Sequence, residues 1–146
     1  MKLLTLNTHS LIEPDYEAKR EIFVDFIARE QPEVLALQEV NQTAAAPLLG
    51  EIPAGYYPCP GNTVLLKADN HAAAVARMLE KRGVQYHWSW LPAKIGYDIY
   101  DEGMAVFSRA PITAAENLLL SKSDDYSNWR TRRTLGICAG DVWYYT

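Results

Sequence analysis

Cysteine is scarce in this chain: Cys59 and Cys138 are the only two in 146 residues, and neither belongs to a CxxC or Cys/His cluster. That spacing argues against a zinc site. Two distant thiols suit a reducing compartment, and a disulfide between them stays open on sequence grounds. Excess positive charge is also missing, since 14 Lys and Arg face 18 Asp and Glu for a net charge of −4. This balance gives no general attraction to nucleic acid or anionic membrane, although a local basic patch is compatible with it. Neither GxxxxGK[ST] nor GxGxxG occurs, which removes the two common glycine loops that cradle nucleotide phosphates. Long apolar runs are absent too. The opening MKLLTLNTHSL turns polar at Asn7, Thr8 and His9, too early for a signal peptide or a membrane span. A cytoplasmic protein without a transmembrane segment is expected.

What remains is an ordinary globular composition, 49% hydrophobic and 11% aromatic, enough for one domain with a core. KLLTL (2–6) reads as a short strand ending at Asn7. Pro14 and Asp15 then open a helix from Tyr16 to Glu30. Its inward stripe is read as Tyr16, Ile22, Phe23, Phe26 and Ile27, with Lys19, Arg20, Asp25 and Arg29 opposite. After Pro32, EVLALQE is a second strand, which makes a strand–helix–strand crossover of parallel type. A helical scrap is expected in NQTAAAPLL, followed by a Pro/Gly/Tyr-rich loop. Asp69 or Asn70 caps a second helix running to about Arg82, with Val75, Met78 and Leu79 inward and Gly83 closing it. Five strand-like segments follow without a helix between them: VQYHWSWLPA, GMAVFSR, ITAAENLLLS, RRTLGICA and VWYYT. SRAPI reads as a hairpin-type turn. A βαβ start leading into antiparallel strands predicts an α+β fold with a mixed sheet, half of a layered sandwich. The last strand pattern stops at Thr146, so residues 1–146 are expected to be the N-terminal part of one longer domain whose C-terminal half is absent.

One stretch stands apart. In PEVLALQEVNQ, Val34 to Leu37 form an unbroken apolar run that ends in Gln38 and Glu39. A carboxylate there is costly to bury without a partner. Glu39 by itself is compatible with a charge favouring the start of a following helix, and Asn7 with a strand-end turn. Ligand sites in open α/β sheets lie at the carboxyl ends of strands, and the parallel crossover brings both residues to one such edge. One carboxylate and one amide oxygen, completed by waters and substrate phosphate, suit Mg²⁺ or Mn²⁺.

The blocks LLTLNTHS, PEVLALQEV, YDEGMAVFSRAPI and RRTLGI…WYY, in this order over nearly the whole chain, resemble the endonuclease/exonuclease/phosphatase (DNase I-like) superfamily. The resemblance implies a layered α/β sandwich and Mg²⁺- or Mn²⁺-dependent hydrolysis of phosphoesters, whether nucleic acid, phospholipid or small phosphate ester. It assigns Glu39 as the metal-binding glutamate and Asn7 as the asparagine near metal and scissile phosphate. Gln38 would be a supporting residue. Glu102 corresponds to an acidic residue that orients a catalytic histidine in some members, with a solvent-facing strand-entry charge as the alternative. The family's later histidine, its GDxN block and its final Asp-His pair have no counterpart here, so residues 1–146 alone are expected to be inactive.

His9 lies beside the proposed site and is a candidate substrate contact, whereas His71 and His87 read as surface or packing residues. Arg130, Arg132 and Arg133 cluster with Trp129 in NWRTRR. They read either as a phosphate-binding patch, in which Arg132 and Arg133 touch substrate, or as a charged, solvated edge strand. The Tyr- and Trp-rich stretches GYYPCPGN and HWSWLPAKIGYDIYDEG are read as substrate-choosing loops. No stable protein partner is expected. Two other classes stay open, a non-catalytic α/β binding module and a pseudoenzyme.

Overall fold

The β1–α1–β2 unit is the organising element, with β2 continuously buried at its centre. β1 (Leu3–Asn7) and β2 (Val34–Gln38) pair in parallel, Leu3 against Val34 through Asn7 against Gln38, joined by α1 (Tyr16–Glu30). The computed structural model describes residues 1–146. Val34 to Leu37 are buried, as an apolar run covered on both faces requires.

β4 (His87–Gly96) and β5 (Tyr100–Ser108) form a long antiparallel hairpin. β5 also pairs antiparallel with β2 and with the two-residue β3 (Gln42–Thr43), which continues the β2 edge. The result is a five-stranded mixed sheet. β6 (Ile112–Leu119), β7 (Arg133–Ala139) and β8 (Val142–Tyr145) form a separate three-stranded antiparallel sheet.

Three layers follow. α1 and α2 (His71–Lys81) cover one face of the larger sheet, and their core contains Val24, Ile27, Leu37, Leu79, Trp88, Trp90 and Phe107. A second core between the sheets contains Val34, Leu91, Met104, Val106, Leu135 and Ile137. Full burial of a side chain of this size contributes roughly 1.5–3 kcal/mol. The α+β layered architecture is the one expected. Asn70 caps α2, its side chain accepting from Ala73 N at 3.0 Å. Both cysteines are free. No helix is long and apolar enough to cross a membrane.

Four expectations need correction. α1 buries Val24 and Ile27, while Ile22 is 70% and Phe26 39% exposed. Arg20, assigned to the outer face, instead lies half-buried on the inner one, stacked 4.8 Å over the Tyr16 ring. Its aliphatic stem and guanidinium plane let it occupy an apolar stripe. Residues 41–49 form no helix, because Gln42 and Thr43 are drawn into the edge of β5 as a strand. SRAPI is not a hairpin turn either. Both edges of β5 are occupied, by β2 and β4, so the chain has no free edge to fold back on and crosses to the second sheet. Lastly, HWSWLPAKIGYDIYDEG is no loop. It is the β4–β5 hairpin, and only its tip, with Tyr97 at 60% and Ile99 at 53%, is exposed.

Candidate metal and phosphate site

The parallel register places Asn7 beside Gln38, and β2 stops there. Glu39 then adopts a left-handed backbone, φ 51°, which lifts it out of the ladder. Its flanks are tied down on several sides. Its carbonyl accepts from Thr8 Oγ1 at 2.9 Å and Ser10 Oγ at 2.8 Å. Val40 N–H donates to the Gly103 carbonyl at 2.8 Å, and the Trp90 indole donates to the Val40 carbonyl at 2.8 Å.

Gly103 is needed for this arrangement. A Cβ there would stand 2.6 Å from the Leu91 carbonyl oxygen, 2.9 Å from Pro92 Cα and 2.9 Å from Trp90 Nε1. Gly103→Ala should therefore cost about 1–3 kcal/mol, read as a lower urea midpoint. An unchanged midpoint would contradict that crowding.

Asn7 and Glu39 meet as expected. Asn7 Nδ2 donates to Glu39 Oε1 at 2.8 Å, while Asn7 Oδ1 accepts the His9 backbone N–H at 3.0 Å. Asn7 thus orients the carboxylate with its amide N–H and spends one lone pair of its oxygen on the turn. Gln38 supports the same corner, donating to Thr146 Oγ1 at 2.6 Å and to the Ala36 carbonyl at 3.1 Å. His9 sits beside the pair, with Nδ1 2.7 Å from Glu13 Oε1 and Nε2 3.5 Å from the Tyr97 hydroxyl. Lys19, then His9, hold the Glu13 carboxyl below the usual carboxylate range.

Glu39 lines a cavity of about 350 Å³ between the sheets, together with Gln38, Lys94, Glu102, Arg132 and Thr146. Glu102 faces Lys94, with Nζ to Oε1 3.3 Å. Arg132 donates to the carbonyls of Trp129 at 2.7 Å and Thr131 at 2.9 Å. Arg133 borders the cavity but is committed elsewhere, ion-paired to Asp124 and donating to Asn117 Oδ1 at 2.7 Å. Arg130 stacks on the exposed Trp129 ring, 5.1 Å from its centroid. NWRTRR is therefore a loop leading into the central strand β7 at Arg133, and its three arginines diverge, so it is neither a single patch nor an edge strand.

A second cavity, about 240 Å³, lies on the helix side of Asn7 and is lined by Thr8, Ser10, Tyr16, Arg20 and His71 among others. His71 is buried, its Nδ1 2.8 Å from the Tyr16 hydroxyl. Burial, reinforced by the Arg20 charge, pushes its pKa down to about 3. The unfolded imidazole takes a proton below about 6.5, whereas the folded one stays neutral until about 3. Stability should thus fall by about 1.4 kcal/mol per pH unit as pH drops through that window. His71→Gln should lack this component in urea titrations against pH, and parallel curves for the two proteins would refute it.

Glu39, Asn7, His9, Glu102 and Arg132 are thus gathered around two adjoining strand ends. His71 and His87 are not at the Glu39 carboxylate, His87 being at the start of β4. Two residues, Lys94 and the hairpin-tip Tyr97, are covered in the sequence only as part of a stretch read as a substrate-choosing loop and are not singled out. Pro92 within a strand pattern was the available signal for Lys94, because proline inside a sheet marks a bulge. Nowhere do three or more His, Cys, Asp or Glu side chains converge as a metal cluster.

The chain is similar to known proteins over nearly its whole length. The endonuclease/exonuclease/phosphatase family profile matches residues 4–145. An endonuclease/exonuclease/phosphatase family protein from Leptotrichia buccalis C-1013-b is 26% identical, with TM-score 0.85 over 100% of this chain and 52% of that one. An endonuclease/exonuclease/phosphatase structure from Beutenbergia cavernae DSM 12333 is 17% identical with TM-score 0.58, over 98% of this chain and 35% of that one. A functionally unknown conserved protein from Enterococcus faecalis V583 is 14% identical with TM-score 0.53, over 100% and 48%. The last two show the fold alone. No curated protein matches. The chain spans about half the length of the Leptotrichia protein. A profile match across nearly all of its residues, with a shared fold, makes this chain a member of the endonuclease/exonuclease/phosphatase family.

Proposed function

We propose that residues 1–146 supply the metal-holding half of a phosphoester hydrolase. The observation that carries this reading is the Asn7–Glu39 pair, 2.8 Å apart at the carboxyl ends of two parallel strands, in a turn whose backbone is bonded on both sides. Hydrolysis of phosphoesters is the general activity of the family; the residues and the metal are our assignment.

The donor set fits a hard cation. Glu39 contributes one anionic oxygen donor, and no clustered Cys or His competes. A site with one carboxylate suits Mg²⁺ or Mn²⁺, which keep several waters and accept substrate phosphate. When bound, such an ion would supply charge stabilisation at the phosphoryl group. The protein's own contribution is positional. Asn7 fixes the Glu39 carboxylate, Thr8 and Ser10 fix its carbonyl, and Gln38 braces the strand end. Preorganised groups of this kind need not rearrange as charge develops. His9 and Tyr97, 3.5 Å apart, border the site and are assigned as substrate contacts. Because the chain spans 52% of the Leptotrichia relative, we assign the base that activates water to residues outside it, in a longer protein of that length.

Residues 1–146 alone should bind Mn²⁺ but release no p-nitrophenol from bis-p-nitrophenyl phosphate above a Glu39→Ala control. The longer protein should hydrolyse it. Mn²⁺-induced line broadening confined to residues near Asn7 and Glu39 is the direct check, and broadening elsewhere or none would reject the site. A binding module without metal would show none.

A further inference from the structure

We propose that Lys94 and Arg132 form a two-cation clamp for phosphoryl oxygens of the substrate in the inter-sheet cavity, an assignment that rests on the phosphoesterase reading above. The clamp begins with a break in strand register. Along β4, Trp88 and Trp90 belong to the helix-side core and Leu91 and Ala93 to the inter-sheet core. By strict alternation Lys94 would fall on the helix side with Trp90. Instead the register shifts between Pro92 and Lys94, so that Pro92 pairs with Gly103 and Lys94 with Glu102. The bulge turns Lys94 to the opposite face, into the cavity that Glu39 lines. Bulges commonly re-aim a side chain in this way beside active sites.

The ammonium is then held with capacity to spare. It contacts Glu102 Oε1 at 3.3 Å and donates to the Trp129 carbonyl at 3.1 Å. An ammonium has three donors, so one N–H is left for a ligand. Glu102 is itself placed by Gly96, where a Cβ would stand 2.4 Å from Glu102 Oε2. Arg132 Nη1 donates to the same Trp129 carbonyl at 2.7 Å. One carbonyl oxygen thus draws two cations into the same corner, the Lys94 side chain being only 14% exposed. A half-buried ion pair is weak evidence of a stabilising role, because desolvation offsets the attraction. Paired cations facing a cavity match the multiple oxygens of a phosphoryl group. Glu39 and Glu102 border the same space, so the anion would sit on its cationic side, away from the two carboxylates. Lys94 and Arg132 would bind and orient the phosphate, and Glu102 would position Lys94.

The test measures inorganic phosphate binding to residues 1–146 in Mg²⁺ by titration calorimetry. Lys94→Gln should weaken binding about tenfold, and Lys94→Arg should restore most of it, since a charge-assisted bond is lost and regained. Phosphate should also slow acetylation of Lys94 in the unaltered protein severalfold, against a chloride control of equal ionic strength, a readout independent of any variant. Lys94→Gln with wild-type affinity, unprotected Lys94, or a wild-type chain that binds no phosphate would each overturn the clamp. Mn²⁺ titration of the same samples separates the two readings. Phosphate held through Lys94 without Mn²⁺ uptake would leave the clamp standing and overturn the metal site, and intact Mn²⁺ uptake with Lys94-independent phosphate binding would do the reverse.

Discussion

Glu39→Gln should abolish Mn²⁺ binding by this chain and lower phosphoester hydrolysis by the longer protein about 10²–10³-fold, the cost of removing a preorganised charge-stabilising element. The substitution preserves shape while removing the charge. Asn7 can still bond to the remaining carbonyl oxygen, as it does to Glu39 Oε1, so folding should be unaffected. Asn7→Ala removes the orienting N–H together with the oxygen that accepts the His9 backbone N–H, and should weaken metal affinity about 10–100-fold, the usual effect of losing an outer-shell partner. The ranking is the test. If Asn7→Ala proves more damaging than Glu39→Gln in Mn²⁺ titrations, with melting temperatures equal, the roles assigned to the two residues are reversed.

Gln42→Leu should cost several kcal/mol of stability, about 1–3 kcal/mol for each buried group it leaves unpaired. Gln42 is fully buried and Asp101 is 4% exposed. The Gln42 amide N–H donates to Asp101 Oδ2 at 2.9 Å, and its oxygen accepts from Lys67 N and Asn70 Nδ2, both at 2.9 Å. The Tyr126 hydroxyl donates to Asp101 Oδ1 at 2.8 Å. Burial, followed by its bond to Asp101, pushes the Tyr126 phenol up. Leucine at 42 would leave a buried carboxylate with one partner fewer and two donors with no acceptor, the costly kind of loss. That is a large share of the 5–15 kcal/mol that holds a domain together. Urea denaturation should show it, and a companion Asp101→Asn in the Gln42→Leu background, which removes the buried charge but keeps an oxygen for the Tyr126 hydroxyl, should recover part of the loss. A double variant less stable than the single would show that Asp101 is not the source.

The same network explains where sequence reading succeeded and stopped. The β1–α1–β2 unit was legible because its signals are local: an apolar run, a proline stop and a polar strand end. Asn7 and Glu39 came with it, since parallel pairing dictates which ends meet. Gln42 was illegible. Its partners lie on β5 and in the segment before α2, so its preference for a strand exists only once those pieces have assembled. The hairpin reading of SRAPI failed for a related reason, because a free edge on β5 is a property of the whole sheet. On α1, two apolar residues point outward and an arginine inward, since burial depends on what the neighbouring layer offers. Lys94 depended on a one-residue register shift, which reverses the face of everything beyond it.

The left-handed backbone at Glu39 has one further consequence. A side chain there carries a steric penalty that glycine would escape, of order 1 kcal/mol. Judged by folding alone, position 39 is a place for glycine. The chain retains a charged, branched-off carboxylate in that spot and surrounds it with backbone bonds strong enough to enforce the conformation. The turn therefore works as a spring clip: the scaffold stores a small strain at one residue and presents that residue's oxygens at a fixed angle, which a relaxed strand end could not do.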